Sequence, residues 1–185
     1  MSFEKSLVWH ASPTLANIKI ANLYNFKFES RLDCENTLDY FNSMMNPKGL
    51  YIELLRQTED FYLIFVFRKS YLQKGLENEN IQEFLKELGY PIGGNVEEYL
   101  EFLKSQLIKG KEFPHEIGVF LGYPLSDVKA FIETKGQNCI TCGEWKVYGD
   151  EEKAKCMFCK YKHCKEVYVS VYEAGKNFKD MLVSA

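Results

Sequence analysis

The stretch LYIELLRQTEDFYLIFVFR, residues 50 to 68, constrains the fold more than any other part of the chain. Two apolar runs flank the polar Gln57-Thr58-Glu59-Asp60, the pattern of a β-hairpin. The second run, FYLIFVF at 61 to 67, is apolar at every position. A strand hides both faces only when it is central in a sheet covered on both sides. The covering layers must come from helices elsewhere in the chain.

The sequence supplies them. In CENTLDYFNSMMN, 34 to 46, Leu38, Phe41, Met44 and Met45 recur at helical spacing, and Pro47 and Gly49 end the segment. KSYLQKGL, 69 to 76, reads as a helix, as does NIQEFLKELG, 80 to 89, with Leu85 and Leu88 inward and Gly89 as its stop. Asn95 is a good N-cap for a helix running to Gly110. FPHEIGVFLGYP and LSDVKAFIETKG read as two short helices separated by Gly122, Tyr123 and Pro124. EWKVYGD, 144 to 150, alternates as a short strand should and is expected to join the hairpin. Asp150 then caps a helix whose stripe runs through Ala154, Met157, Phe158, Tyr161, Tyr168 and Tyr172. That stripe assigns VYVSVY, 167 to 172, to helix despite its strand-like alternation, with Gly175 as the stop. Near the start, Ser12 and Pro13 have the character of an N-cap and first helical residue, so a short helix is expected to begin there. The expected fold is α+β: a small antiparallel sheet, made of the hairpin and a short strand from the C-terminal half, packed with several helices. One globular domain, residues 1–185, is expected.

The net charge of −3 argues against nucleic acid or an anionic membrane as the main partner. The first residues, MSFEKSLVWHASPTL, lack a secretory apolar segment, and 61 to 67 is too short to span a bilayer as a helix. A cytoplasmic location is therefore expected, where the six cysteines are thiols, metal ligands or redox groups.

Five of those cysteines fall in NCITCGEWKVYGDEEKAKCMFCKYKHC, 138 to 164. Cys139, Cys142, Cys156 and Cys159 have the formula of a zinc or iron–sulfur site, and Gly143 permits the tight turn of a knuckle. Yet Cys156 and Cys159 sit inside the helix begun at Asp150. There they share a face with His163, within about 60° of one another and opposite the apolar stripe. The four sulfurs converge only if the 139 to 142 loop folds over that outer face, so no cofactor is expected; zinc or an iron–sulfur cluster is the alternative. Cys164, on the flank of the stripe, reads as a small packed hydrophobe.

IGVFLGYPLSDVKAFI, 117 to 132, has the apolar spacing of a helix-turn-helix. Its outward positions would be Ser126, Lys129, Ala130 and Glu133, a poor set for reading base edges, so a plain helical hairpin is expected. Acid–base or ligand chemistry has better material. His115 and Glu116 follow Pro114, His10, Ser12, Thr14 and Lys19 lie in one early block, and Trp145 and Lys146 lie in a late one. No nucleophile elbow, P-loop or H-E-x-x-H motif is present.

Three blocks, WHASPTLANIK, FPHEIGVFLGYPLSDVKAFI and GEWKVYGDEEKA, together resemble the bacterial family catalogued as domain of unknown function 3793, found mainly in anaerobic Gram-positive bacteria. They occur in the family's order and span nearly the whole chain. Where the family pattern carries a cysteine after the first histidine and a glycine before the Ile-Lys pair, this chain has Ala11 and Asn17. The resemblance implies one full-length domain and no particular chemistry. The expectation is a protein that binds a small molecule, or a protein partner, through the 10–19, 113–124 and 144–148 segments. A cysteine-based metal or redox protein is the second expectation.

Overall fold

The computed structural model describes residues 1–110 and 112–184. In chain order the elements are α1 (Phe3–Leu15), β1 (Ala21–Phe26), α2 (Arg31–Met45), β2 (Leu50–Gln57), β3 (Tyr62–Arg68), α3 (Lys69–Leu76) and α4 (Glu79–Glu87). There follow α5 (Val96–Lys109), α6 (Ile117–Phe120), α7 (Leu125–Glu133), β4 (Thr141–Cys142), β5 (Lys146–Val147) and α8 (Glu151–Glu173). The fold is α+β.

β2 and β3 form the expected antiparallel hairpin, with Leu55 bulged out of register between Leu54 and Arg56. β3 is the central strand, in the order β1-β3-β2, and every one of its residues is buried. Its side chains divide by parity. Leu63, Phe65 and Phe67 enter one core with Tyr99, Leu103 and Phe120, while Ile64 and Val66 enter another with Leu7, Leu15, Phe41 and Met45. A helical layer on each face is what a strand with no polar side requires.

The third strand of this sheet is β1, not the 145 to 148 segment. β5 pairs instead with β4, Cys142 opposite Lys146 and Thr141 opposite Val147. β1 escapes a pattern search because its inward positions include Asn22, which is buried because it accepts a hydrogen bond from Thr14 at 2.7 Å.

Ser12 and Pro13 end a helix rather than begin one. Ser2 caps α1, accepting from the backbone N–H of Lys5, and Phe3, Leu7, Ala11 and Leu15 follow at four-residue intervals as its buried edge. Pro13 falls in the last turn, where few intrahelical bonds remain to be lost. Asn17 then takes the left-handed conformation (φ 65°), while the N–H of Ile18 returns to Pro13 and that of Asn17 to Thr14. This is a Schellman stop with asparagine in the glycine position. The buried Arg68 guanidinium closes the same end, donating to the carbonyls of Thr14 and Leu15 at 2.8 and 2.9 Å. A cation there meets the negative end of the helix dipole.

The other helix stops fall where glycine placed them, at Gly89 and Gly175. Leu88, however, is 41% exposed; Phe84 and Leu85 carry the buried face of α4. α8 does run through 167 to 172, and α6 is a single turn. No helix among the described residues is long and apolar enough to cross a membrane.

Candidate functional site

One carboxylate organises the region where the middle and late blocks meet. Pro124 leads into α7, and Asp127 falls in its first turn, where negative charge suits the dipole. The side chain is not solvated there; it is 3% exposed. One oxygen accepts the indole N–H of Trp145 at 2.7 Å, and the other accepts the backbone N–H groups of Tyr148 and Gly149, both at 3.0 Å. A single aspartate thus fixes the 145–149 strip against α7. Trp145 is then stacked on Tyr123 (5.0 Å, 27°) and meets Phe158 of α8 edge-on (4.6 Å, 76°). Gly118 lets α6 lie close to α7, since a Cβ there would stand 2.8 Å from Val128 Cγ2.

This packing leaves a cleft of about 330 Å³. Its walls are chiefly apolar, with Leu121, Val128, Phe131 and Trp145 among them. His115 and Lys146 bring polar atoms to it. The exposed His115 ring lies edge-on to Phe131 at 4.9 Å. Lys146 Nζ spends one N–H on the carbonyl of Gly136 at 2.7 Å and lies 5.8 Å from the Phe131 ring centre. An ammonium offers three donors, so Lys146 can still hydrogen-bond a ligand.

The expected site residues separate into lining groups and braces. His115, Trp145 and Lys146 share the cleft. Glu116 turns away and accepts the phenol O–H of Tyr90 at 3.0 Å; burial, and then the Glu116 charge, push the Tyr90 phenol well above its ordinary range. Lys19 is 5% exposed, pairs with Glu144 at 3.1 Å and lies 5.5 and 5.3 Å from the ring centres of Tyr123 and Tyr161. Burial pulls its pKa down and Glu144 opposes that pull. Lys19 therefore ties the early block to the back of the late one. Ser12 donates to the Val8 carbonyl and Thr14 to the Asn22 side chain. His10 stacks on Tyr24 at 4.8 Å and lines a different cleft.

Asp127 and Phe131 lie outside the segments expected to form the site, whereas Tyr123 falls within the expected 113–124 segment. An acidic residue in a first helical turn is explained by the dipole alone, so nothing local marked Asp127 as buried. The available signal was the single indole N–H at Trp145, which must find an acceptor if the ring is buried.

The 139 to 142 knuckle does reach α8: a Cβ at Gly143 would overlap the Phe158 ring. Cys156, Cys159 and His163 face outward from that helix, and Cys142 lines the cleft. Among the described residues, no group of three or more His, Cys, Asp or Glu side chains is gathered where it could hold a metal ion.

A family model described as "Protein of unknown function (DUF3793)" matches residues 7–182. No curated protein and no solved structure matches the chain.

Proposed function

Because the chain belongs to the DUF3793 family, whose description names no activity, its function has to be read from the site, and we propose that it binds a small, flat, largely apolar molecule in the His115–Trp145 cleft. The observation that carries this reading is the meeting of two sequence-distant blocks around one concave, aromatic-walled space. Its 330 Å³ falls at the small end of the ~300–1,000 Å³ typical of ligand sites. The walls supply apolar burial, and Lys146 and His115 offer polar contacts to an acidic or polar edge of the ligand. The ion pair of buried Lys19 with exposed Glu144 and the Asp127 hydrogen bonds hold the walls in place before anything binds, so little ordering cost falls on the ligand.

Calorimetry with benzoate, 2-naphthoate and 2-naphthamide tests this. The naphthyl compounds should bind and benzoate should bind more weakly, because it buries less apolar area. Lys146→Met should weaken 2-naphthoate and spare the amide, and Phe131→Ala should weaken both. Absence of binding by all three compounds would count against the reading.

A cysteine-based metal or redox role is the second reading. It is favoured by the contact that brings the 139 to 142 knuckle onto the helix carrying Cys156 and Cys159. Four thiolates suit zinc or an iron–sulfur cluster. Metal analysis of protein purified without added metal decides it: a stoichiometric content lost together with the fold on chelation would put this reading first.

A further inference from the structure

A second cleft lies on the opposite side of the Gly143–Glu144 strip, between α1, β1 and α8, with a volume of about 530 Å³. Its polar equipment is mostly of one kind. Lys162 and Lys165 reach it from α8, and His10 from α1. Asn22 reaches it from β1 and is only 7% exposed. The amide oxygen of Asn22 is occupied by the hydroxyl of Thr14 at 2.7 Å, so its N–H groups are what it has left to offer. Among the described residues those N–H groups have no hydrogen-bond partner, and Lys165 makes no ion pair.

Two carboxylates bear on this set, Glu144 in the lining of the cleft and Glu166 on α8 outside it. Glu144 is engaged by Lys19 at 3.1 Å, and Glu166 lies 4.0 Å from Lys162. Neither neutralises Lys165, whose Nζ lies 4.5 Å from the ring centre of Trp9. Trp9 is 41% exposed and belongs to the lining. The imidazole of His10, stacked on Tyr24, is held below its ordinary pKa by burial and then by Lys165. Lys162, Lys165, His10 and the Asn22 amide thus bring donors and positive charge to a space whose lining carboxylate, Glu144, is already held by Lys19.

We propose that this cleft is an anion site for an aryl phosphate monoester, the phosphate held by Lys162, Lys165 and the Asn22 amide and the aromatic group placed against Trp9. Two ammonium groups match the dianion in charge, and the exposed indole gives the ring an apolar face. His10 stands beside the phosphate and gains a proton more readily once the dianion is bound.

Three histidines give the experiment three reporters: His10 in this cleft, His115 in the other, and exposed His163 on the outer face of α8. The imidazole proton signals of the full chain are followed during a phenyl phosphate titration at neutral pH, with inorganic phosphate and phenol as separate arms. Phenyl phosphate should move His10 saturably and raise its pKa, leaving His115 and His163 in place. Lys165→Gln should weaken binding about tenfold, the loss of one charge-assisted contact. Lys162→Gln, at an exposed position that leaves the Trp9 contact intact, should do the same. A fixed His10 signal, or equal responses of His10 and His163, would overturn the proposal. Inorganic phosphate binding as tightly as phenyl phosphate would overturn the aryl assignment. Movement of His115 alone would overturn it while supporting the first cleft, so the two sites fail independently.

Discussion

At the scale of single residues the account rests on Asp127. Its carboxylate accepts three hydrogen bonds, one from the buried indole N–H of Trp145 and two from the part-buried backbone N–H groups of Tyr148 and Gly149. Asp127→Ala should cost on the order of 2–4 kcal/mol, because the buried indole N–H left unpaired costs about 1–3 and the two part-buried backbone N–H groups add less. Asp127→Asn keeps one oxygen for the backbone N–H groups but sets an amide N–H₂ against the indole N–H, so its cost should be smaller and confined to Trp145. Urea denaturation of the two variants checks both statements, with the slope expected to stay unchanged. Asn17 gives a milder case. The resemblance implies glycine there, and this chain holds φ 65° with the Asn17 Oδ1 buried and, among the described residues, unpaired. Asn17→Gly should leave stability within about 1 kcal/mol of the parent, and Asn17→Val should cost at least ~1–2 kcal/mol. The departure from the family pattern is visible in the sequence. Its physical meaning, a helix stop, is not, because Ser12-Pro13 carries the pattern of a helix start.

At the scale of elements, the sequence is legible wherever one face of an element decides its pattern. β3 is apolar throughout and is central; α8 carries a continuous stripe and stays helical through VYVSVY. It is illegible where a polar side chain is buried by a specific partner. Asn22 interrupts the alternation of β1 because Thr14, eight residues earlier at the end of α1, satisfies it, a pairing that follows from the turn between the two elements and not from either pattern. The alternation of 144 to 150 points to the hairpin sheet, whereas β5 pairs with β4, because its position follows from Asp127, 18 residues away from Trp145. The cysteines test the element arrangement. Cys142, Cys156 and Cys159 are exposed, whereas Cys34 is fully buried and burial pushes its thiol up to about 11. Burial likewise raises Cys164 to about 11. A disulfide reagent at pH 8 should therefore label Cys142, Cys156 and Cys159 quickly, and Cys34 only after unfolding. Protection of the fast group until a chelator is added would favour the metal reading instead.

At the scale of the molecule, buried phenols set the alkaline limit. Burial holds Tyr24 and Tyr90 well above the ordinary value, and raises Tyr161 and Tyr168 to about 12. The unfolded chain ionises these groups near pH 10, so above that pH it binds fewer protons than the folded one. Their contribution is complete below pH 10 and falls as pH rises toward 12, by ~1.4 kcal/mol per pH unit for each tyrosine. Lys19 has the opposite sign: its lowered pKa makes stability rise just below its ordinary value, but one lysine opposes four phenols. A cooperative alkaline transition, seen as joint loss of helix and appearance of tyrosinate absorbance, should result; gradual ionisation without unfolding would contradict it. The same buried framework presents the His115–Trp145 cleft preformed, and that claim has a direct test. The two indole N–H signals of nitrogen-15-labelled protein are followed as 2-naphthoate is added. Trp145 should shift saturably, since its N–H reports the hydrogen bond to Asp127 at the cleft wall. A stationary Trp145 signal while 2-naphthoate binds would place the ligand elsewhere and contradict the account.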